Sequence, residues 1–318
     1  MSKFSYGKNK VIRFLDRNSG HIFTGFSREL KAKIFRKTLV RKLARRFAKI
    51  REPEKWIFLV GSYNSGTTIF RRLIESHPDI ASLPVEGVNL TDAFPSLEAG
   101  GWPRMMYANR GMWSMSEEDG EAIARVAKLD WNHWWPRQTK IFLEKSISHA
   151  VRIAWLDKYF KNCYFIFIVR NGYCVSEGIL RRSSPQGLAK KRVGDKYPID
   201  MVTNQWVEIN KEVQKQSQKV KRFHLIKYED LMTKPRHQIL SVFEFLDLPC
   251  PDVKHIDDTI YINGEAHQLI NQNSTSFSRI SPEDITKMTK GLKPGLKKYG
   301  YKVLSLSLIH ISEPTRPY

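Results

Sequence analysis

The chain has 318 residues, 41% of them hydrophobic, with eight tryptophans, 53 Lys and Arg, 32 Asp and Glu, and a formal net charge of +21. That is ample for the packed core of one large α/β domain, alone or with appendages. Three cysteines (Cys163, Cys174, Cys250) form neither a disulfide framework nor a metal-ligand spacing, and the longest apolar run, Cys163 to Val169, is far short of a membrane span; a reducing, cytoplasmic compartment is expected, with no secretory signal.

The charge is uneven. Residues 1–51 carry sixteen Lys and Arg against only Asp16 and Glu29, so most of the excess belongs to an N-terminal appendage. Residues 1–27 are polar, basic and aperiodic, a loose arm. From Arg28 to Arg51 the pattern turns helical, with Leu30, Ile34, Leu39, Leu43, Phe47 and Ile50 at spacings of three to five among eleven basic residues. Such a helix either lies on an anionic membrane surface or packs on its own domain; both readings stay open.

Trp56 to Val60 is an unbroken apolar run of strand length, followed by the small, hydroxylated turn Gly61 to Thr68. A helical pattern follows, with Ile69, Phe70, Leu73 and Ile74 on one face, ending at Pro78. A strand, a glycine-bearing loop and a helix N-terminus together can make an anion site, because the first-turn amides lack intrahelical partners and the helix dipole adds positive charge. Gly61-x4-Gly66 has P-loop spacing, but Thr67 stands where the P-loop lysine belongs. That argues against an ATP or GTP hydrolase and leaves a cradle for one phosphate-like group; the alternative is an ordinary tight turn.

Residues 81–103 read as loop and contain Glu86. The stretch 112–139 reads as partly helical, and its Trp113, Trp131, Trp134 and Trp135 suit a core better than a sugar-stacking platform. Ile141 to Leu143 reads as a short strand leading into Glu144-Lys145-Ser146, with a helix over 149–160. Cys163 to Val169 reads as a buried strand ending at Arg170-Asn171-Gly172, followed by a helix over 173–182 and a mobile loop over 183–198. Trp206, Ile209, Val213 and Val220 mark a long helix, and Phe223 to Ile226 a third clear strand before Tyr228-Glu229-Asp230-Leu231. Pro235 opens another helix, 251–290 reads as polar loop, and a last helix runs from Lys293 to Tyr301. The tail from about Ser305 has no periodicity and reads as a non-native extension. Strands alternating with helices predict a parallel sheet covered on both faces, with ligands bound beyond the carboxyl ends of its strands.

Three segments together resemble the sulfotransferase family that uses 3′-phosphoadenosine 5′-phosphosulfate (PAPS). Its first loop reads P-[RK]-S-G-T-T, here Tyr63-Asn64-Ser65-Gly66-Thr67-Thr68; its second strand ends in R-[ND]-[PG], here Arg170-Asn171-Gly172; its third strand is followed by Y-E-D-L, here 228–231. Gly300-Tyr301 matches a G-Y near the family's end, and 77–80 (HPDI) and 144–146 (EKS) look most like its bacterial and Golgi-type branch. The resemblance spans about residues 55–301. It implies a P-loop-like three-layer α/β sandwich with a central parallel sheet flanked by helices, occupying 52–304 between the basic segment 1–51 and the tail 305–318.

The resemblance further implies that Asn64, Ser65, Gly66, Thr67 and Thr68 hold the 5′-phosphosulfate and that Arg170 binds the 3′-phosphate. Tyr228 lies near the adenosine, Arg279 closes over the nucleotide, and Lys145 sits beside the sulfuryl group. Glu86 aligns with the glutamate base of protein-tyrosine sulfotransferases, with His149 and His133 as the runners-up. Two positions depart from the pattern. Asn64 replaces a basic residue, for which Arg71 could compensate by turning inward; Gly178 replaces a serine, with Ser176 two residues earlier. Sulfuryl transfer passes through a loose in-line transition state, so a lysine and helix amides can meet the leaving charge without a metal, while a carboxylate or histidine takes the acceptor's proton. The expectation is a metal-independent transfer from PAPS to a hydroxyl acceptor, yielding adenosine 3′,5′-bisphosphate, with peripheral contact to an anionic membrane through 28–51 and no nucleic-acid partner. The competing readings are a P-loop kinase or NTPase and a non-catalytic polyanion- or membrane-binding module.

Overall fold

The structure, a computed structural model, describes residues 31–249, 259–262 and 265–304. The loose arm up to residue 27, the start of the basic helix, Cys250 and the tail from Ser305 lie outside them. In chain order the elements are α1 (Thr38–Phe47), β1 (Lys55–Gly61), α2 (Thr67–Ile74), β2 (Ile80–Ser82), α3 (Gly120–Asn132), β3 (Ile141–Lys145), α4 (Ile153–Tyr159), β4 (Cys163–Val169), α5 (Gly172–Arg182), α6 (Gly187–Val193), α7 (Ile199–Ser217), β5 (Phe223–Lys227), α8 (Tyr228–Thr233), α9 (Pro235–Phe245), the hairpin β6 (Thr259–Ile262) and β7 (Glu265–Gln268), α10 (Asn273–Phe277) and α11 (Pro282–Lys298).

Strands β1 to β5 form one sheet in the order β2-β3-β1-β4-β5, and every neighbouring pair is parallel. Both faces are covered, which is why β1 and β4 read as continuous apolar runs rather than alternating ones. Along β1, Trp56, Phe58 and Val60 enter one core while Ile57 and Leu59 enter the other. The tryptophans build the first core: Trp56 packs against Trp131 and Trp135, and Trp135 stacks on Phe142 with centroids 4.3 Å apart. This is the expected three-layer sandwich with a central parallel sheet. The chain leaves β1 toward β2 and β3 on one side and later returns to β4 and β5 on the other, so the strand order switches beside β1.

Three local expectations are corrected. The start of the expected loop 81–103 instead belongs to an edge strand, Ile80–Ser82, whose three residues are too few to show a period. The segment 183–198, read as a mobile loop, contains α6. The last helix begins at Pro282, eleven residues before its expected start, with the Ser281 hydroxyl accepting the Asp284 amide as its cap. Gly291 and Gly295 are places of close approach to α7: a Cβ would stand 2.6 Å from Thr203 Oγ1 at position 291 and 2.5 Å from Trp206 at position 295.

The basic segment packs on the domain by a mixed face of small or aromatic residues and arginines. Ala32 and Phe35 join the core. Within α1, Arg45 makes a bidentate pair with Asp130 at 2.6 and 2.7 Å and also bonds Asp92. Arg41 turns back to the carbonyl of Arg36. The apolar stripe points the other way: Leu39, Leu43 and Phe47 are 82%, 60% and 81% exposed. Among the described residues no helix is long and apolar enough to cross a membrane.

Candidate functional site

A cavity of about 690 Å³ opens over the carboxyl ends of the sheet. Each of the five strands feeds it. The loop Asn64–Thr68 follows β1, Glu86 follows β2, Lys145 ends β3, Arg170 follows β4 and Tyr228 follows β5.

The first loop turns through two left-handed residues, Asn64 (φ 60°) and Gly66 (φ 94°). Glycine is required at 66 on two counts. Its φ suits no L side chain well, and a Cβ there would meet Tyr228 Cδ2 at 2.7 Å. Gly66 is the N-cap of α2, so the free amides of the first helical turn face the cavity beside Thr67 and Thr68. Ser65 is not among the lining residues; its buried hydroxyl donates to the Ser62 carbonyl at 2.7 Å and closes the turn.

Arg170 is held by what it touches. Nη1 donates to the Asn64 carbonyl at 2.7 Å, Nε to Asn273 Oδ1 at 2.8 Å, and Nη2 to Ser276 Oγ at 3.4 Å. Its guanidinium lies over the Tyr228 ring, 4.4 Å from the centroid. Behind it, Glu229 accepts from the Asn171 amide at 3.0 Å, from Asn273 Nδ2 at 2.7 Å and from the Tyr301 hydroxyl at 2.8 Å. One carboxylate thereby ties together the turn after β4, α10 and the Gly300-Tyr301 end. Burial and this carboxylate hold the Tyr301 phenol protonated.

On the other side of the cavity, Lys145 Nζ donates to Glu86 Oε1 at 2.6 Å. The neighbouring Glu144 is fully buried, and that burial pushes its carboxyl up to about 7. Glu144 accepts the Gly87 amide at 2.8 Å and the Ser146 hydroxyl, so it pins the backbone next to Glu86. His149 is packed against the Phe58, Phe94 and Trp131 rings, 3.5 Å from Glu144. Burial first, and Arg152 second, hold it well below the usual histidine range. Neither His149 nor His133 lines the cavity; His133 sits against the Phe35 ring, with centroids 5.5 Å apart. A side chamber of about 280 Å³ adjoins the Glu86 end, with Asn89, Phe94, Leu97 and Ser148 in its wall.

The remaining expected residues divide. Gly178 and Arg279 line the cavity, and Arg279 lies 3.7 Å from Glu177. Ser176 does not; it is fully buried and its hydroxyl has no partner among the described residues. Arg71 does turn inward, but to the Leu83 carbonyl at 3.1 Å and to Glu75, away from the cavity, so it does not replace the missing loop cation. Sequence reasoning missed Glu144, Glu229, Asn273, Arg104 and Arg182. The first two stood inside segments already singled out, 144–146 and 228–231. The other three carry no local signal and are brought in by the fold.

Residues 55–252 match the profile of the sulfotransferase family. A Caenorhabditis briggsae protein named as a protein-tyrosine sulfotransferase is 26% identical over 201 residues, which is 61% of this chain. The chain covers 66% of that relative, just short of two thirds of its length. The sulfotransferase domain of the Synechococcus PCC 7002 olefin synthase superposes with a TM-score of 0.50 at 17% identity, over 80% of this chain and 97% of that domain. The sulfotransferase domain from the curacin biosynthetic pathway gives 0.48 at 18% identity, over 81% and 100%.

Proposed function

The chain belongs to the sulfotransferase family, and from that premise we propose that it transfers a sulfuryl group from PAPS to a hydroxyl acceptor, releasing adenosine 3′,5′-bisphosphate. The observation that carries the reading is the convergence of the Asn64–Thr68 loop, the Lys145–Glu86 pair, Arg170 and Tyr228 on one cavity at five strand ends. The cavity wall also suits a polyanion. It bears Arg104, Arg170, Arg181, Arg182, Arg279 and Lys145 against Glu86, Glu98 and Glu177, an excess of cations that a doubly phosphorylated nucleotide would neutralise.

When bound, PAPS supplies the sulfuryl group together with a phosphate as leaving group. The first amides of α2, with Thr67 and Thr68, hold the 5′ end. Arg170, oriented by Asn273 and Ser276, holds the 3′-phosphate with a fixed guanidinium fork, and Tyr228 takes the adenosine side. Gly178 and Arg279 border the nucleotide. Lys145 stands ready for charge developing on the leaving oxygen, and Glu86, on the side of the smaller chamber, takes the acceptor's proton. The reading gives the leaving charge to Lys145 and the amides rather than to a metal; among the described residues no group of three or more His, Cys, Asp and Glu side chains is placed to hold one.

The test is a thermal shift with adenosine 3′,5′-bisphosphate, adenosine 5′-monophosphate and ATP, followed by transfer of labelled sulfuryl from PAPS to a hydroxyl acceptor panel. Adenosine 3′,5′-bisphosphate should stabilise the protein most. A larger shift with ATP would favour the kinase reading and overturn this one.

A second part of the proposal concerns where the enzyme works. The ridge of Leu39, Leu43 and Phe47 faces outward between Arg36, Lys42, Arg46 and Lys49, all exposed. A basic-rimmed apolar ridge fits the headgroup boundary of an anionic membrane, on the cytoplasmic side, where the buried thiols Cys163 and Cys174 would stay reduced.

A further inference from the structure

Asn64 is the point where the loop lacks the basic residue of the family pattern, yet two guanidinium groups converge on it. Arg104 Nη1 donates to Asn64 Oδ1 at 3.1 Å, and Arg182 Nη1 lies 3.5 Å from the same oxygen. The two arginines come from distant parts of the chain, the loop before α3 and the last turn of α5. Both line the cavity. Among the described residues neither has a carboxylate within ion-pair distance, because Glu177 is committed to Arg181 at 2.6 Å and lies 3.7 Å from Arg279. The Asn64 amide nitrogen is buried against Gly178, with no acceptor among the described residues. Two guanidinium groups therefore meet at the Asn64 side chain with no anion among the described residues to neutralise them.

We propose that Arg104, Arg182 and the Asn64 side-chain amide form an anion subsite that grips the phosphosulfate end of the nucleotide. This rests on the PAPS reading above and supplies, from two remote arginines, the positive charge the loop itself lacks. The backbone is arranged for it. Arg104 is held at φ 59°, a left-handed conformation costly for a non-glycine residue. It persists because Gln205 Nε2 donates to the Arg104 carbonyl at 2.8 Å and the Tyr197 hydroxyl to the Pro103 carbonyl at 2.9 Å. The two departures from the family pattern also become one: a Cβ at Gly178 would stand 2.9 Å from Asn64 Cγ, so the glycine makes the room in which the Asn64 amide lies. The Arg182 guanidinium is lowered, first by desolvation and then by Arg181 and Arg104 beside it, with Glu177 opposing more weakly, as expected where cations crowd before their anion binds.

The experiment is calorimetric binding of adenosine 3′,5′-bisphosphate and of adenosine 3′-monophosphate, which lacks the 5′ group, to the wild type, Arg104→Gln and Arg182→Gln. Arg182 lies exposed on the rim, so its variant keeps the test alive should Arg104→Gln fold poorly. Each substitution should weaken adenosine 3′,5′-bisphosphate about tenfold or more while leaving the 3′-monophosphate unchanged, since only the former reaches the subsite. Equal losses for both ligands, or no loss for either, would overturn the assignment; no loss together with a raised KM for the acceptor would give the arginines to the acceptor instead. Failure of the wild type to bind either nucleotide would mark failure of the PAPS reading itself.

Discussion

Lys145 Nζ lies 2.6 Å from Glu86 Oε1, joining the end of β3 to the loop after β2 in one partly buried ion pair at the cavity wall. The pair places a cation and a candidate base side by side before any ligand arrives. It also holds each side chain to one rotamer, which removes an ordering cost from the reaction. Behind it, Glu144 fixes the Gly87 amide and so the backbone that carries Glu86.

Replacing Lys145 by alanine removes the cation assigned to the leaving oxygen. Turnover should fall by about 10² or more, with the affinity for adenosine 3′,5′-bisphosphate little changed. Steady-state kinetics and calorimetry on the same preparation check both halves, and wild-type turnover would refute the role.

Glu86→Gln tests the base. The variant should bind nucleotide normally and lose the acidic limb of the pH–rate profile, since no carboxylate remains to be protonated there. His149 and His133 lie away from the cavity, so an acidic limb that survives would have to be assigned to a different group.

Arg170→Lys keeps the charge and loses the fork. The bonds to Asn64, Asn273 and Ser276, together with the stacking on Tyr228, need a planar guanidinium. The affinity for adenosine 3′,5′-bisphosphate should drop about tenfold or more, while that for adenosine 5′-monophosphate should barely move. Parallel losses for both ligands would show that Arg170 does not read the 3′ end.

The sheet was legible because β1, β4 and β5 are short apolar runs, each ended by an abrupt polar turn. β2 was not, since three residues show no period. Arg170 and Lys145 stood beside strands that could be read, and strand ends converge in a parallel sheet; Glu86 came only from the resemblance to protein-tyrosine sulfotransferases, because the strand before it was not read. Arg104 and Arg182 could not be singled out, because only the fold brings the loop at 104 and the end of α5 onto Asn64. The last helix was read eleven residues short at its start, and the contacts of Gly291 and Gly295 with Thr203 and Trp206 that seat it against α7 are visible only in three dimensions.

Glu144 and His149 pull stability in opposite directions with pH. The Glu144 carboxyl is raised by burial from 4.5 to about 7, so its contribution is full below about 4.5 and is lost as pH rises toward 7. His149 is lowered, so its contribution is present above its ordinary value and is lost on acidification. In the wild type the two partly cancel between about pH 5 and 6.5. Glu144→Gln keeps an oxygen for the Gly87 amide but cannot titrate. Its Tm relative to wild type should therefore rise with pH across that window, and calorimetric scans at several pH values measure the difference. A difference that stays constant with pH would show that Glu144 does not titrate there.

The exposed ridge of α1 gives the last prediction. Leu39, Leu43 and Phe47 contact water, while Arg45 anchors the opposite side of the helix to Asp130, which is fully buried. Deleting the whole basic segment would leave that buried carboxylate unpaired and confuse attachment with folding. The triple substitution Leu39→Gln, Leu43→Gln, Phe47→Gln in the full chain leaves the anchor intact and should not lower Tm. Turnover on a small dissolved acceptor should be unchanged. Sedimentation with vesicles of anionic lipid should fall, and the loss should be clearest at high salt, where the basic rim of about 1 kcal/mol per side chain is screened and apolar insertion carries more of the binding. Unchanged sedimentation would remove the ridge from the membrane contact. A lowered Tm would show that the three side chains are covered within the protein itself.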